Sequence, residues 1–221
     1  MRVPSFSSSG ETLLREYGLY HLTRLKADKD LKDMAADWEK CQTRLSDKLD
    51  AQHAAEAASM TAMAVRDGAD SDLDDVMRAF GLALLQEANN NRKSPIFKNY
   101  FPEGWTDVVS APLEGEVQKV QIILSKLAEE QDEAIASHAG PIQSSLDKLT
   151  AAMDAHRSAM DAESQAYGLV QTEKLHWFDA YKLDHKALLF KFYKTPKKAD
   201  TYFKKTTRAK KAKAPTPPAT A

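Results

Sequence analysis

From Ile142 to Lys191 the chain carries a heptad seam that no sheet or loop accommodates: fifteen positions alternate steps of three and four, and ten of them are apolar or aromatic. Ile142, Leu146, Leu149, Met153, Met160, Tyr167, Val170, Trp177, Tyr181 and Leu188 fall on it. A side chain on every such position faces one side of a helix, so the segment predicts one long helix needing an apolar partner of matching length. A second seam, Tyr17, Tyr20, Arg24, Ala27, Leu31, Met34, Trp38, Cys41 and Leu45, holds seven apolar or aromatic residues larger than Ala among nine. With only eight Gly and a hydrophobic fraction of 43%, the expected class is all-α.

Punctuation sets the expected organisation. Ser8 and Glu11 form a capping box, as do Ser71 and Asp74 after Arg66-Asp67-Gly68. Asn89-Asn90-Asn91 reads as a helix stop, because Asn tolerates the left-handed conformation. Gly140-Pro141 reads as a break before a new helix. These signals predict a flexible N-terminus (1–8), helices over 9–66, 71–90, 113–138 and 141–193, an aromatic loop over 91–112 and a basic tail over 194–221. The breaks lie symmetrically about residue 103, which predicts a long antiparallel helical hairpin or an elongated four-helix coiled-coil bundle. In that register residue i faces roughly 206 minus i, so Trp38 is expected beside Tyr167 and Leu31 near Leu175. Leu14, Leu22, Leu25 and Leu49 lie off the first seam, so their burial calls for the middle helices or a second copy of the chain. Within the loop, Phe97, Phe101 and Trp105 are too apolar for a disordered linker and are expected to cap a core or meet a partner, and Phe101-Pro102-Glu103-Gly104 fits a type I turn.

Charge is divided as sharply as hydropathy. Residues 194–221 hold nine Lys/Arg and one acid, Asp200, and the remainder holds 22 Lys/Arg against 31 Asp/Glu. An acidic body of −9 therefore carries a basic tail of +8, an arrangement suited to attachment to a polyanion. Thr195-Pro196-Lys197-Lys198 and the Lys/Ala/Pro run after Arg208 resemble in composition the tails of linker-histone-like DNA-binding proteins, which neutralise phosphates without reading bases. Lys197, Lys198, Lys204, Lys205, Arg208, Lys210, Lys211 and Lys213 are the expected polyanion-binding residues, and the Pro-rich end is expected to be disordered. Interleaved aromatics, from Phe190 to Phe203, add the capacity to stack on unpaired bases.

Catalytic constellations are not expected. Glu173-x-x-His176 is the lone Glu-x-x-His pair where a carboxylate-bridged di-metal bundle needs two. Cys41 sits on the seam among Trp38, Met34 and Leu45, a setting for an inert buried thiol. No phosphate loop, nucleophile elbow or zinc spacing is present, so neither enzyme activity, cofactor, metal nor small-molecule substrate is expected. The start, Met1-Arg2-Val3-Pro4 then Ser7-Ser8-Ser9-Gly10, lacks an apolar signal core, and apolar runs such as 80–85 fall short of the roughly 18 residues that span a bilayer, so the expected compartment is the cytoplasm. The resulting expectation is a non-enzymatic, self-associating helical scaffold whose tail contacts DNA, RNA or another polyanion without sequence specificity. The rival is a long-helix protein that engages anionic membrane through the aromatic loop or the tail.

Overall fold

The computed structural model describes residues 3–205, and every regular element among them is helical. In chain order these are α1 (Gly10–Thr12), a π turn (Leu13–Gly18), α2 (Leu19–Lys26), a 3-10 turn (Lys29–Leu31), α3 (Lys32–Glu87), α4 (Pro95–Tyr100) and α5 (Trp105–Val109). They are followed by α6 (Leu113–Leu127), α7 (Glu133–Ala136), α8 (Ala139–Lys191) and α9 (Pro196–Asp200). The chain divides into two units, one made of Met1–Gln52 with Ala166–Ala221, the other of His53–Gln165.

In the first unit the N-terminal helices double back on α3. Asp28 leaves helical geometry at φ −105° and ψ 115°, and its carboxylate accepts the Asp30 N–H at 3.1 Å, capping the turn that starts α3. The continuous helix expected over 9–66 is therefore broken at Ala27-Asp28. α2 then runs antiparallel to α3, with Trp38 Nε1 donating to Gly18 O at 3.0 Å and Lys26 pairing with Glu39 at 2.7 Å. This fold-back packs Leu14, Leu22, Leu25 and Leu49 inside the unit and removes their need for a second copy.

α3 and α8 are antiparallel within this unit, since Lys191 Nζ reaches Asp30 O at 2.9 Å while Arg44 Nε reaches Glu173 Oε1 at 2.9 Å. Their register differs from the expected one. Trp38 packs on Trp177 and Tyr181, at 5.2 and 5.6 Å between ring centroids, whereas Tyr167 and Leu175 are exposed. The offset of roughly ten residues is about 15 Å along a helix. Its cause is that the helix facing α8 starts at Lys32, after the fold-back at Asp28, and not near residue 9, and that residues 66–71 are no break.

No break exists there: α3 runs through Gly68 and Ser71 without interruption. Tyr17, Arg24, Leu31, Trp38 and Leu45 continue in steps of seven through Gln52, Ser59 and Arg66 to Leu73 and Phe80, so both apolar stretches share one heptad phase. One helix keeps both in phase, and an interior Gly costs it only about 1 kcal/mol.

The second unit is closed by the segment expected as a loop. α3 ends where Asn89 and Asn90 take φ of 49° and 61°, and Asn90 N–H returns to Leu85 O at 2.7 Å. Two short helices follow in place of irregular chain: Ser94 caps α4 by accepting the Phe97 N–H at 3.2 Å, with Pro95 in its first turn. The turn expected at 101–104 is closed by Gly104 N–H on Phe101 O at 3.2 Å, and φ of 97° at Gly104 favours its lack of a side chain. Phe97 and Phe101 are buried against each other and, through Phe101 and Tyr100, against Phe80 of α3. Opposite them lie Val120, Ile123 and Leu127 of α6 with Ile142, Leu146 and Leu149 of α8. α6 stops at Leu127, short of the expected 138, and Gly140-Pro141 falls within the first turn of α8.

Gly81 of α3 shows how closely the cap fits. A Cβ at this position would lie 2.6 Å from Cε3 of the Trp105 ring. Gly81→Ala improves helix propensity by about 1 kcal/mol, but the ring must move as a rigid body. The expected result is a net loss of about 1–2 kcal/mol in urea unfolding, with Trp105 emission shifted to the red. A stabilised variant would show that the cap is loosely held.

Candidate polyanion-binding surface

The chain after α8 does not leave the body at Lys194. Thr195 and Pro196 turn it into α9, and Ala199, Tyr202 and Phe203 enter the core of the first unit with 0%, 4% and 2% of their surface exposed. The basic tail expected from residue 194 therefore begins with a structured anchor. Aromatic residues gain more from burial, about 1.5–3 kcal/mol each, than the neighbouring Lys residues lose by lying at the rim with their charged ends in water.

His21 organises the anchor. Its ring is fully buried, stacks on Phe203 at 4.4 Å and meets Trp38 edge-on at 4.8 Å. Nδ1 lies 3.0 Å from the Tyr202 carbonyl and Nε2 lies 3.0 Å from Asp184 Oδ2. A carbonyl oxygen only accepts, so Nδ1 carries a proton toward Tyr202. Tyr202 Oη donates to Asp28 Oδ2 at 2.7 Å, and this bond, with the Asp30 N–H, holds the Asp28 carboxyl below its ordinary range. Tyr20 Oη donates to Thr201 O at 3.3 Å, and Lys204 pairs with Glu16 at 2.7 Å. Asp28 therefore both ends the N-terminal fold-back and receives the C-terminal anchor.

The expected polyanion residues divide accordingly. Lys197 and Lys198 are exposed on α9, with Lys198 Nζ 4.3 Å from the centre of the Phe192 ring. Lys204 is held by Glu16, and Lys205 is exposed beside it. Arg208, Lys210, Lys211 and Lys213 lie outside the described residues. Next to Lys204 is a shallow groove of about 380 Å³ formed with Arg15, Glu16, Leu19, Tyr20, Thr23 and Arg24. Its three cations outnumber its one acid, and Arg24 also lies over the Tyr202 ring at 5.6 Å. Sequence reasoning missed Arg15 and Arg24, although Arg15-Leu19-Thr23 and Glu16-Tyr20-Arg24 form adjacent i, i+4 rows on one helical face. What it lacked was the anchor that brings Lys204 to them.

Elsewhere the candidate chemistry is used structurally. Burial pushes the Cys41 thiol up to about 11, so it stays protonated at neutral pH. Glu173 accepts from Arg44 at 2.9 Å and lies 3.2 Å from His176 Nδ1, two interactions that together hold its carboxyl below the ordinary value despite burial. His156 Nδ1 faces Arg66 Nη1 at 3.1 Å; because a guanidinium only donates, this nitrogen accepts. Among the described residues no group of three or more His, Cys, Asp or Glu is placed to hold a metal ion, and no helix is long and apolar enough to cross a membrane. Phe97, Phe101 and Trp105 form ring contacts with one another, with Phe97 and Phe101 buried and Trp105 half-buried.

Comparison with protein-family models, with curated proteins and with solved structures finds no match to this chain.

Proposed function

We propose that the protein is a non-enzymatic helical scaffold that attaches to a nucleic acid or another polyanion through its C-terminal tail, without reading base sequence. The anchor carries this reading: it brings Lys204, where the basic run starts, into one groove with Arg15 and Arg24. A tethered arm beginning at a fixed cationic patch raises the local density of phosphate-neutralising groups. Antiparallel packing of α3 with α8 in the first unit, and the packing of α3 on α8 within the second, support a helical scaffold. Self-association loses the argument from Leu14, Leu22, Leu25 and Leu49, all of which pack within the first unit. The membrane alternative loses its loop contact as well, because Phe97 and Phe101 are occupied in the core of the second unit.

The test compares the full chain with a chain ending at Lys205 by gel shift at two salt concentrations. A deletion starting at residue 195 would remove Ala199, Tyr202 and Phe203 from the core and confound binding with unfolding. Full-length protein is expected to lose about a thousandfold or more in affinity between roughly 50 and 200 mM salt if six or more cations contact phosphates. The shortened chain should retain its helix content and lose most binding, keeping only the weak contribution of the groove. Equal binding by both, or none by either, would exclude the tail as a polyanion arm.

A further inference from the structure

The stretch from Phe190 to Phe203 interleaves five aromatic residues with lysines, and the structure sorts the aromatics into two sets. Phe192 is half-buried and stacked on Tyr202 at 5.8 Å, while Tyr202 and Phe203 belong to the core. Tyr181 and His185 close around Phe203 at 4.8 and 5.1 Å. Phe190 and Tyr193 remain outside, with 85% and 69% of their surface in solvent. No other large apolar residue described is as exposed as Phe190, and Tyr193 follows it in the exposure order. Two such rings, three residues apart at the end of α8, contribute almost nothing to the core of their own unit.

Their surroundings are cationic. Lys186 lies one helical turn before Phe190 on α8, Lys194 lies in the turn that follows the helix, Lys197 is on α9, and all three are exposed. Lys194 Nζ lies 5.6 Å from the centre of the Tyr193 ring. Exposed aromatic faces set among flexible ammonium groups match the chemistry of an unpaired nucleic-acid strand, whose bases offer π-faces and whose phosphates offer charge. A duplex keeps its bases stacked internally and offers these rings no face. We infer that Phe190 and Tyr193 form a stacking platform for single-stranded nucleic acid, with Lys186, Lys194 and Lys197 holding the adjacent phosphates. This deepens the polyanion reading by naming the strand state that the protein prefers, and it rests on that reading.

The test measures fluorescence anisotropy at one ionic strength with a labelled oligothymidylate and a blunt DNA duplex of equal length. Wild type, F190A/Y193A and the chain ending at Lys205 are compared, and sedimentation with phosphatidylserine/phosphatidylcholine vesicles is run in parallel. Both rings are exposed, so the double variant is expected to melt as wild type does. Wild type should prefer the single strand, and F190A/Y193A should lose about tenfold or more of that affinity while binding duplex unchanged. An equal affinity of wild type for both probes, or an unchanged variant, overturns the platform; loss of binding on tail removal would still leave the polyanion reading standing. A variant defect without any effect of tail removal keeps the platform and removes the tail from the reading. Binding to vesicles with no binding to either nucleic acid overturns the platform and replaces the nucleic-acid reading by the membrane alternative.

Discussion

Phe203→Ala is expected to destabilise the first unit by about 3–5 kcal/mol, the range for emptying a buried aromatic site. Phe203 is 2% exposed and closes a ring cluster with His21 at 4.4 Å, Tyr181 at 4.8 Å and His185 at 5.1 Å. Removing it opens a cavity beside the buried His21, whose two ring nitrogens bridge Asp184 and the Tyr202 carbonyl. Helix content alone would report little, because Phe203 lies beyond α9. Urea unfolding followed by Trp emission is the appropriate measurement, since Trp38 and Trp177 both belong to this core. Phe190→Ala supplies the control: an aromatic of the same type thirteen positions earlier, 85% exposed, it should change stability by no more than about 0.5 kcal/mol. Equal effects of the two substitutions would mean that the segment after Lys194 is not part of the folded body.

That pair of residues also marks where the sequence stops being legible. Phe190, Phe192, Tyr202 and Phe203 stand in similar Lys-rich surroundings, and local pattern does not separate core residues from solvent-facing ones. The sorting comes from a non-local event, the docking of residues 195–205 on α2, which depends on His21, Asp28 and Tyr20 about 180 positions earlier. Periodicity, by contrast, was readable over long distances. The seam on 142–191 corresponds to α8, and the stop at Asn89-Asn90-Asn91 corresponds to the end of α3. At residues 66–74 short local signals and heptad phase conflict, and the structure follows phase. Ser71 and Asp74 looked like a capping box, yet the shared heptad phase from Leu45 to Leu73 already indicated a continuous helix. Asp28 was hidden for the converse reason, since Ala27 and Leu31 keep the period across a break that the Asp28 cap and the Tyr202 hydroxyl stabilise together. The candidate surface was legible only as composition. Its lysines were visible, while Arg15 and Arg24 became part of it through the fold.

Stability of the second unit should fall as pH rises from about 5 to 8, because of a single side chain on α6. Glu116 is 2% exposed, and burial, reinforced by the like charges of Asp70 and Asp74 on α3, pushes its carboxyl up to about 8. Asp74 is raised as well, chiefly by burial, although Arg78 pairs with it at 2.8 Å. A group whose folded value lies above its unfolded one binds its proton more tightly when folded. The stability it lends is complete below the unfolded value of 4.5 and is lost as pH climbs through about 8. Asp28, Glu130 and Glu173 are shifted downward and act only at the acid end, where their contribution is lost as pH falls. Between these limits Glu116 sets most of the slope, and Asp74 adds to it in the same direction. At roughly 1.4 kcal/mol per pH unit of difference, and with the proton partly shared among neighbouring acids, the loss is on the order of 3 kcal/mol. Glu116→Gln keeps the shape and removes the charge, so it should flatten the slope and leave the variant more stable than wild type at pH 8–9, with little difference near pH 5. Hydrogen–deuterium exchange of α6 across that range reads the effect within this unit. A wild-type α6 whose protection does not change with pH, or a Glu116→Gln variant that keeps the wild-type slope, would place the controlling group elsewhere.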